Sequence, residues 1–343
     1  MSPSWPPCES IPPDASRTER AHVDVAGSEL LSVALVGMVF SLAQSQAWGW
    51  TSPGVVVPIV ASVAAGVSFV LVERRNTTAP LMDFGLLRRY PNYRAAVLSQ
   101  CLAGMAEMRL GVLFPLIMIL NLGMSPGLAG LALLPTTLPM IVVAPVAGRW
   151  YDRVGGGRPL LTGYVLLAVS ATLLAVAVTA DRYLLLLPGL FVYGVGLALV
   201  LTVNDPVSLD TLPESSHGQA SGVSATAEQF GGAIGIAGLY LAFHVSYAHR
   251  LNVIVDRGPL ADLTTAAAAR LKADLLSAET TGLKPSLFDP AVAQYLRATR
   301  EASNFGYAVA FVMVAALAVV AAVAVAGLVR RPPDEPEPTP EVR

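Results

Sequence analysis

Three ionisable side chains, Glu107, Arg109 and Glu228, stand inside stretches of sequence that are otherwise apolar. A charge carried into hydrocarbon is costly, so such a group defaults to a function: proton relay, cation site or ion-pair partner. Glu228 shares a helical face with Ser221, Ala225, Gly231, Gly235 and Gly238. Small residues one turn apart let helices meet backbone to backbone, which assigns Gly231, Gly235 and Gly238 to helix packing. Where that face lines a cavity, the Glu228 carboxyl can exchange a proton or attract a cation. Gln100, Gly104, Glu107 and Gly111 make a second small and polar stripe, expected to face a bundle interior. Arg109 follows two positions later and points about 200° away from Glu107. It therefore needs a partner on another helix, an anionic lipid or an anionic substrate. Gln100, Glu107, Arg109 and Glu228 are the candidate residues of a substrate or proton pathway.

Other chemistry-bearing patterns are weak. His244 and His249 are spaced poorly for joint metal binding on a helix, and Cys8 and Cys101 form neither a disulfide framework nor a metal motif. No Walker loop, dinucleotide fingerprint or nucleophile elbow stands in a strand-to-helix context. Neither a cofactor, a bound metal nor an enzymatic activity is expected.

The elements that position these residues follow from composition. Of 343 residues, 54% are hydrophobic and 13% charged, against about 25% charged in a soluble domain. Mean hydropathy is +0.59. Too little polar surface remains to wrap a water-soluble core, so the expected surroundings are a lipid bilayer. A formal charge of −2 offers no basic excess for a nucleic-acid partner. A bilayer core about 30 Å thick needs about 20 apolar helical residues. Runs of that character cover residues 30–47, 55–72, 95–120, 128–147, 160–180, 183–203, 221–245 and 305–329. They lack the alternation of barrel strands, and lipid demands that backbone groups be satisfied within the span, so each predicts a transmembrane helix. Pro135, Pro139 and Pro145 punctuate the fourth and predict kinks.

Arginine placement predicts orientation. Arg74, Arg75, Arg88, Arg89 and Arg94 follow the second run, Arg149, Arg153 and Arg158 the fourth, and Arg330 and Arg331 the eighth. Positive charge collects on the cytoplasmic side, which places both termini there in a multi-pass protein of the cell membrane. Residues 1–28 and 330–343 read as disordered, proline-rich cytoplasmic tails, and the first lacks the apolar segment of a signal peptide. Residues 246–304 form a long extracytoplasmic loop. Its Ala-rich segment, with Leu263, Leu271 and Leu275, reads as a weakly amphipathic helix that caps a pathway or merely connects.

Between the fourth and fifth runs stands GRWYDRVGGGR, from Gly148 to Arg158. Gly148 would let helix ends approach, Asp152 suits a helix N-terminus, and three glycines allow a tight turn. Here the sequence resembles the major facilitator superfamily, whose signature loop reads G-x-x-x-D-R-x-G-R. Gly148, Asp152, Arg153, Gly155 and Arg158 match, with two extra glycines before the last arginine. The segments HVDVAGSELL, AWGWTSP, ERRNTTAPLMDFGLL, LGMSPGLAGLALLP, PGLFVYGVGLAL and LPESSHGQASGVSATAEQFGGAIGIAG are similar to the fourteen-span drug:proton antiporter branch.

The resemblance implies an all-α integral membrane protein with eight transmembrane helices in a partial major-facilitator fold. Residues 29–75 would be the two-helix pair inserted between halves, 76–94 a cytoplasmic linker and 95–329 the C-terminal six-helix bundle, the first six helices being absent. It implies proton-coupled efflux of amphipathic or cationic small molecules, with the loop at 148–158 latching the cytoplasmic face. Alternating access rocks one bundle against another around a midplane site, and this chain has one bundle plus two helices. A second bundle would then come from another copy or a separately encoded half. The alternative is a non-transporting membrane module, a remnant of a longer gene.

Overall fold

The computed structural model describes residues 24–49, 51–75, 84–210, 212–257 and 296–328. Among these the chain is helical, without strands. α1 (Val25–Trp48) and α2 (Pro53–Glu73) form a hairpin. The short α3 (Phe84–Arg89) leads into α4 (Pro91–Leu116), which continues as a π-helical turn over Ile117–Asn121. Then come α5 (Pro126–Ala132), α6 (Leu134–Val154), α7 (Gly157–Ala177), α8 (Tyr183–Leu209), α9 (His217–Arg257) and α10 (Leu296–Leu328).

Six helical segments among the described residues are long and apolar enough to cross a membrane: α2, α5 with α6, α7 with its short extension, α8, α9 and α10. α1 contributes a shorter apolar segment, Ala26–Ser41. α4, which bears Glu107 and Arg109, is outside the six. It lies against α9, α8 and α10, so neighbouring helices rather than lipid surround much of it. On the outer surface Val57, Ile141, Val176, Leu184 and Val323 are 64–74% exposed, an arrangement that water would oppose and lipid favours. The protein is a multi-pass, all-helical membrane protein.

The bundle is assembled by α4 on α9, α7 on α8 and α10, α6 on α8, and α9 on α10. Its core includes Tyr164 and Leu167 of α7, Leu190 and Val203 of α8, and Phe311 and Val314 of α10. The α1–α2 hairpin packs on itself and meets the bundle through α1 on α9.

Helix ends depart from the apolar runs most widely in two places. The fourth run is two helices, broken at Leu133, because Pro135 enters the first turn of α6 with no N–H to donate backwards. Thr136 Oγ1 donates to the Leu133 carbonyl at 2.6 Å across the break. In addition, α9 and α10 run well past residues 221–245 and 305–329 into the expected loop at 246–304. Hydropathy registers contact with lipid, whereas these extensions are held by each other. Leu251, Thr299 and Ala302 are buried, and Arg250 pairs with Glu301 at 2.5 Å. The Ala-rich segment of that loop, residues 1–23 and the C-terminal tail lie outside the described residues, whereas residues 25–28 of the expected N-terminal tail are the first turn of α1.

Candidate functional site

The site begins where α4 crosses α9. A Cβ on Gly104 would strike the backbone carbonyl of Glu228, and one on Gly231 would strike the carbonyl of Cys101. Each helix thus supplies a glycine that receives the other's backbone, the contact geometry that small residues permit between spans. Only because the backbones approach so closely can a short polar side chain bridge them. Gln100 Nε2 of α4 donates to Glu228 Oε2 of α9 at 2.6 Å. Gln100 is buried.

Beside that bond the polar groups are not all matched. Gln100 Oε1 and Glu107 Oε2 are buried and make no hydrogen bond among the described residues. Glu107 also lies within electrostatic reach of Glu228. A buried polar atom without a partner costs about 1–3 kcal/mol, and two ionised carboxylates repel strongly where water is excluded. One proton between them, or a cation beside them, removes that repulsion. The arrangement is therefore able to take up positive charge.

A second buried polar layer adjoins the first along α4. Tyr164 of α7 donates its hydroxyl to the Ser99 carbonyl at 2.7 Å, and the Ser99 hydroxyl bonds the Tyr164 oxygen at 2.8 Å. Asn204 of α8, 1% exposed, lies against Tyr164. Sequence reasoning passed over Ser99, Tyr164 and Asn204, and the available signal was a polar residue inside an apolar run or, for Asn204, immediately after one. A third polar cluster joins the opposite ends of the helices: Asn121 Nδ2 donates to Asn304 Oδ1 at 2.6 Å, and Asn304 Nδ2 donates to Asp181 Oδ1 at 2.9 Å. The structure places the other pathway candidate, Arg109, on α4, with its side chain outside the described ones. Gly235 is buried on α9, and Gly238 has the Met313 methyl at 4.0 Å from its notional Cβ.

At the signature loop the close approach falls on a different glycine from the expected one. Gly148 has open space where its Cβ would be, whereas a Cβ on Gly156 would run into Val207 of α8. The reason is the turn itself: Gly155 caps α6 at φ 75°, a conformation that favours glycine, and swings the next residue onto α8. Asp152, Arg153 and Arg158 are exposed. The loop is tied down by the neighbouring Tyr151, whose hydroxyl donates to Asp210 at the end of α8.

Comparisons with known proteins agree with this architecture. The family described as Major Facilitator Superfamily matches residues 27–236. The Tetracenomycin C resistance and export protein of Streptomyces glaucescens is 32% identical over 342 residues, 94% of this chain and 60% of the relative. The Multidrug resistance protein Stp of Mycobacterium tuberculosis is 30% identical over 65% of this chain and 41% of its own length. The Tetracycline resistance determinant of Streptomyces rimosus is 30% identical over 68% of this chain and 67% of its own. The chain thus spans between about two-fifths and two-thirds of the length of these relatives.

Proposed function

The chain belongs to the major facilitator superfamily, and from that premise we propose that it takes part in efflux of amphipathic or cationic small molecules in exchange for protons. Relatives named for drug resistance, export and multidrug efflux support outward transport of small molecules. The observation that carries the coupling is the buried Gln100–Glu228 bond, with Glu107 in electrostatic reach. In this reading protonation quenches the repulsion between the carboxylates, and arrival of a cationic substrate displaces the proton. Gln100 holds Glu228 in place, the glycine crossing allows α4 and α9 to slide, and the loop at 148–158 latches one face. Arg109 would answer an anionic group of a lipid or substrate. The protein would reside in the cell membrane with both ends in the cytoplasm, consistent with the arginines of its loops.

The test is dye efflux from vesicles that contain this chain alone, driven by an imposed proton gradient. Efflux in the wild type that falls to the level of empty vesicles in Glu228→Gln and Glu107→Gln, with helical content unchanged, supports the reading. Equal efflux in wild type and variants overturns the carboxylate roles.

The described residues build one bundle and a hairpin, and a second reading is that this bundle works only beside another bundle. That bundle would be another copy of this chain or a separately encoded half, and without it the chain would be a non-transporting module. No flux from the wild type alone, together with crosslinked dimers or a co-purifying membrane protein, would favour this reading. Flux from a crosslink-free monomer would eliminate it.

A further inference from the structure

We propose that the joint between the α1–α2 hairpin and the bundle is a binding site for an anionic phospholipid, independent of whether the chain transports anything. Where α1 meets α9 beside α4, the helices leave an apolar cavity of about 420 Å³. Leu31 and Leu35 of α1, Val97 of α4, and Gly222, Val223 and Phe230 of α9 line it. A cavity with such walls suits a hydrocarbon chain, because apolar surface is its main offering. The glycine matters here, since Gly222 has open space where a Cβ would point.

The headgroup is specified by what surrounds one end. The cavity lies near the starts of α1, α4 and α9. Val97 and Val223 also pack into a small buried cluster with Leu86 and Leu87 of α3. That contact holds α3 beside the cavity, with Arg88 and Arg89 exposed at its end. Arg94, also exposed, precedes Val97 by one helical turn on α4. Among the described residues none of the three arginines forms an ion pair, while Arg89 lies over the Tyr90 ring at 5.9 Å. Guanidinium groups bind phosphate through paired N–H donors, and basic clusters at the membrane surface select anionic lipids. An apolar slot with three exposed arginines on the elements packed beside it matches a phospholipid: acyl chain inside, phosphate outside. It also explains how a hairpin with so little direct protein contact is seated on the bundle, through a lipid that touches both.

The experiment is lipid retention by the full chain, extracted from vesicles of equal parts phosphatidylglycerol and phosphatidylcholine and analysed by native mass spectrometry. The wild type is expected to retain phosphatidylglycerol about tenfold over phosphatidylcholine. Arg88→Gln/Arg89→Gln/Arg94→Gln should abolish the preference while leaving some lipid bound. Gly222→Leu, which fills the slot, should reduce retention of both lipids. Arg149→Gln/Arg182→Gln/Arg300→Gln removes as much charge elsewhere and should leave the preference intact. Equal retention of the two lipids by the wild type overturns the proposal without reference to any variant. A loss of preference as large in the charge-matched control overturns it as well, because attraction would then be general to the surface.

Discussion

The α1–α2 hairpin and the α4–α9 crossing use similar residues to opposite ends. Both bring a glycine against a polar neighbour on the facing helix: Gly37 abuts the Ser62 hydroxyl in the hairpin, and Gly104 abuts the Glu228 backbone in the crossing. In the hairpin two hydroxyls return to their own helix, Ser41 Oγ to the Gly37 carbonyl and Ser62 Oγ to the Pro58 carbonyl, both at 2.7 Å. At these two positions the polar demand is met within a single helix, so neither hydroxyl is left to react. In the crossing the bond runs between helices, and Gln100 Oε1 and Glu107 Oε2 are left without hydrogen bonds. The lesson is that small and polar residues in a span do not by themselves mark a pathway. What marks it is polar capacity that the local backbone cannot absorb.

Substitutions can break this contrast in order of expected effect. Gly231→Leu drives a side chain into the Cys101 carbonyl, which is backbone and cannot rotate aside. Destabilisation of about 3 kcal/mol is expected, read as loss of monodisperse protein in detergent and a lower unfolding temperature. Next, Tyr164→Phe removes the bond to the Ser99 carbonyl and strands the Ser99 hydroxyl. A cost of about 1–2 kcal/mol should appear in thermal unfolding, with little change in helical content. In the hairpin, Ser62→Ala deletes only a bond within one helix, to the Pro58 carbonyl. A change below about 0.5 kcal/mol in either direction is expected there, and a loss as large as that of Tyr164→Phe would erase the distinction between the two regions. Smallest of all, Arg250→Gln breaks an ion pair whose side chains are 40% and 58% exposed. It should cost less than about 0.5 kcal/mol, and less still at high salt, as denaturation at two ionic strengths would reveal.

Legibility differed between the scaffold and the site. The apolar runs announced the long helices because each needs only its own residues to satisfy its backbone in lipid. Their ends were harder to read. α9 and α10 continue because their extensions pack together, with Leu251 and Ala302 buried and Arg250 paired with Glu301, contacts that hydropathy along one segment does not register. Glu107, Gln100 and Glu228 stood out singly as polar residues in apolar surroundings, and the same signal was present but unweighed at Ser99, Tyr164 and Asn204. The loop at 148–158 shows the limit most clearly. Its glycines were visible, yet which of them touches α8 depends on the direction in which Gly155 turns the chain.

By itself the sequence determined the solvent, the helical character and the kinship of this protein. Those are properties that add up residue by residue, or match position by position. Only the tertiary structure decided that Gln100 meets Glu228 at a separation of 128 positions, and that one stripe of small residues closes on a backbone while another borders an apolar cavity. A helix can rotate and slide against its neighbours without changing its own hydrogen bonds. The pairing of faces is therefore settled by packing among all the helices at once, and no single segment encodes it.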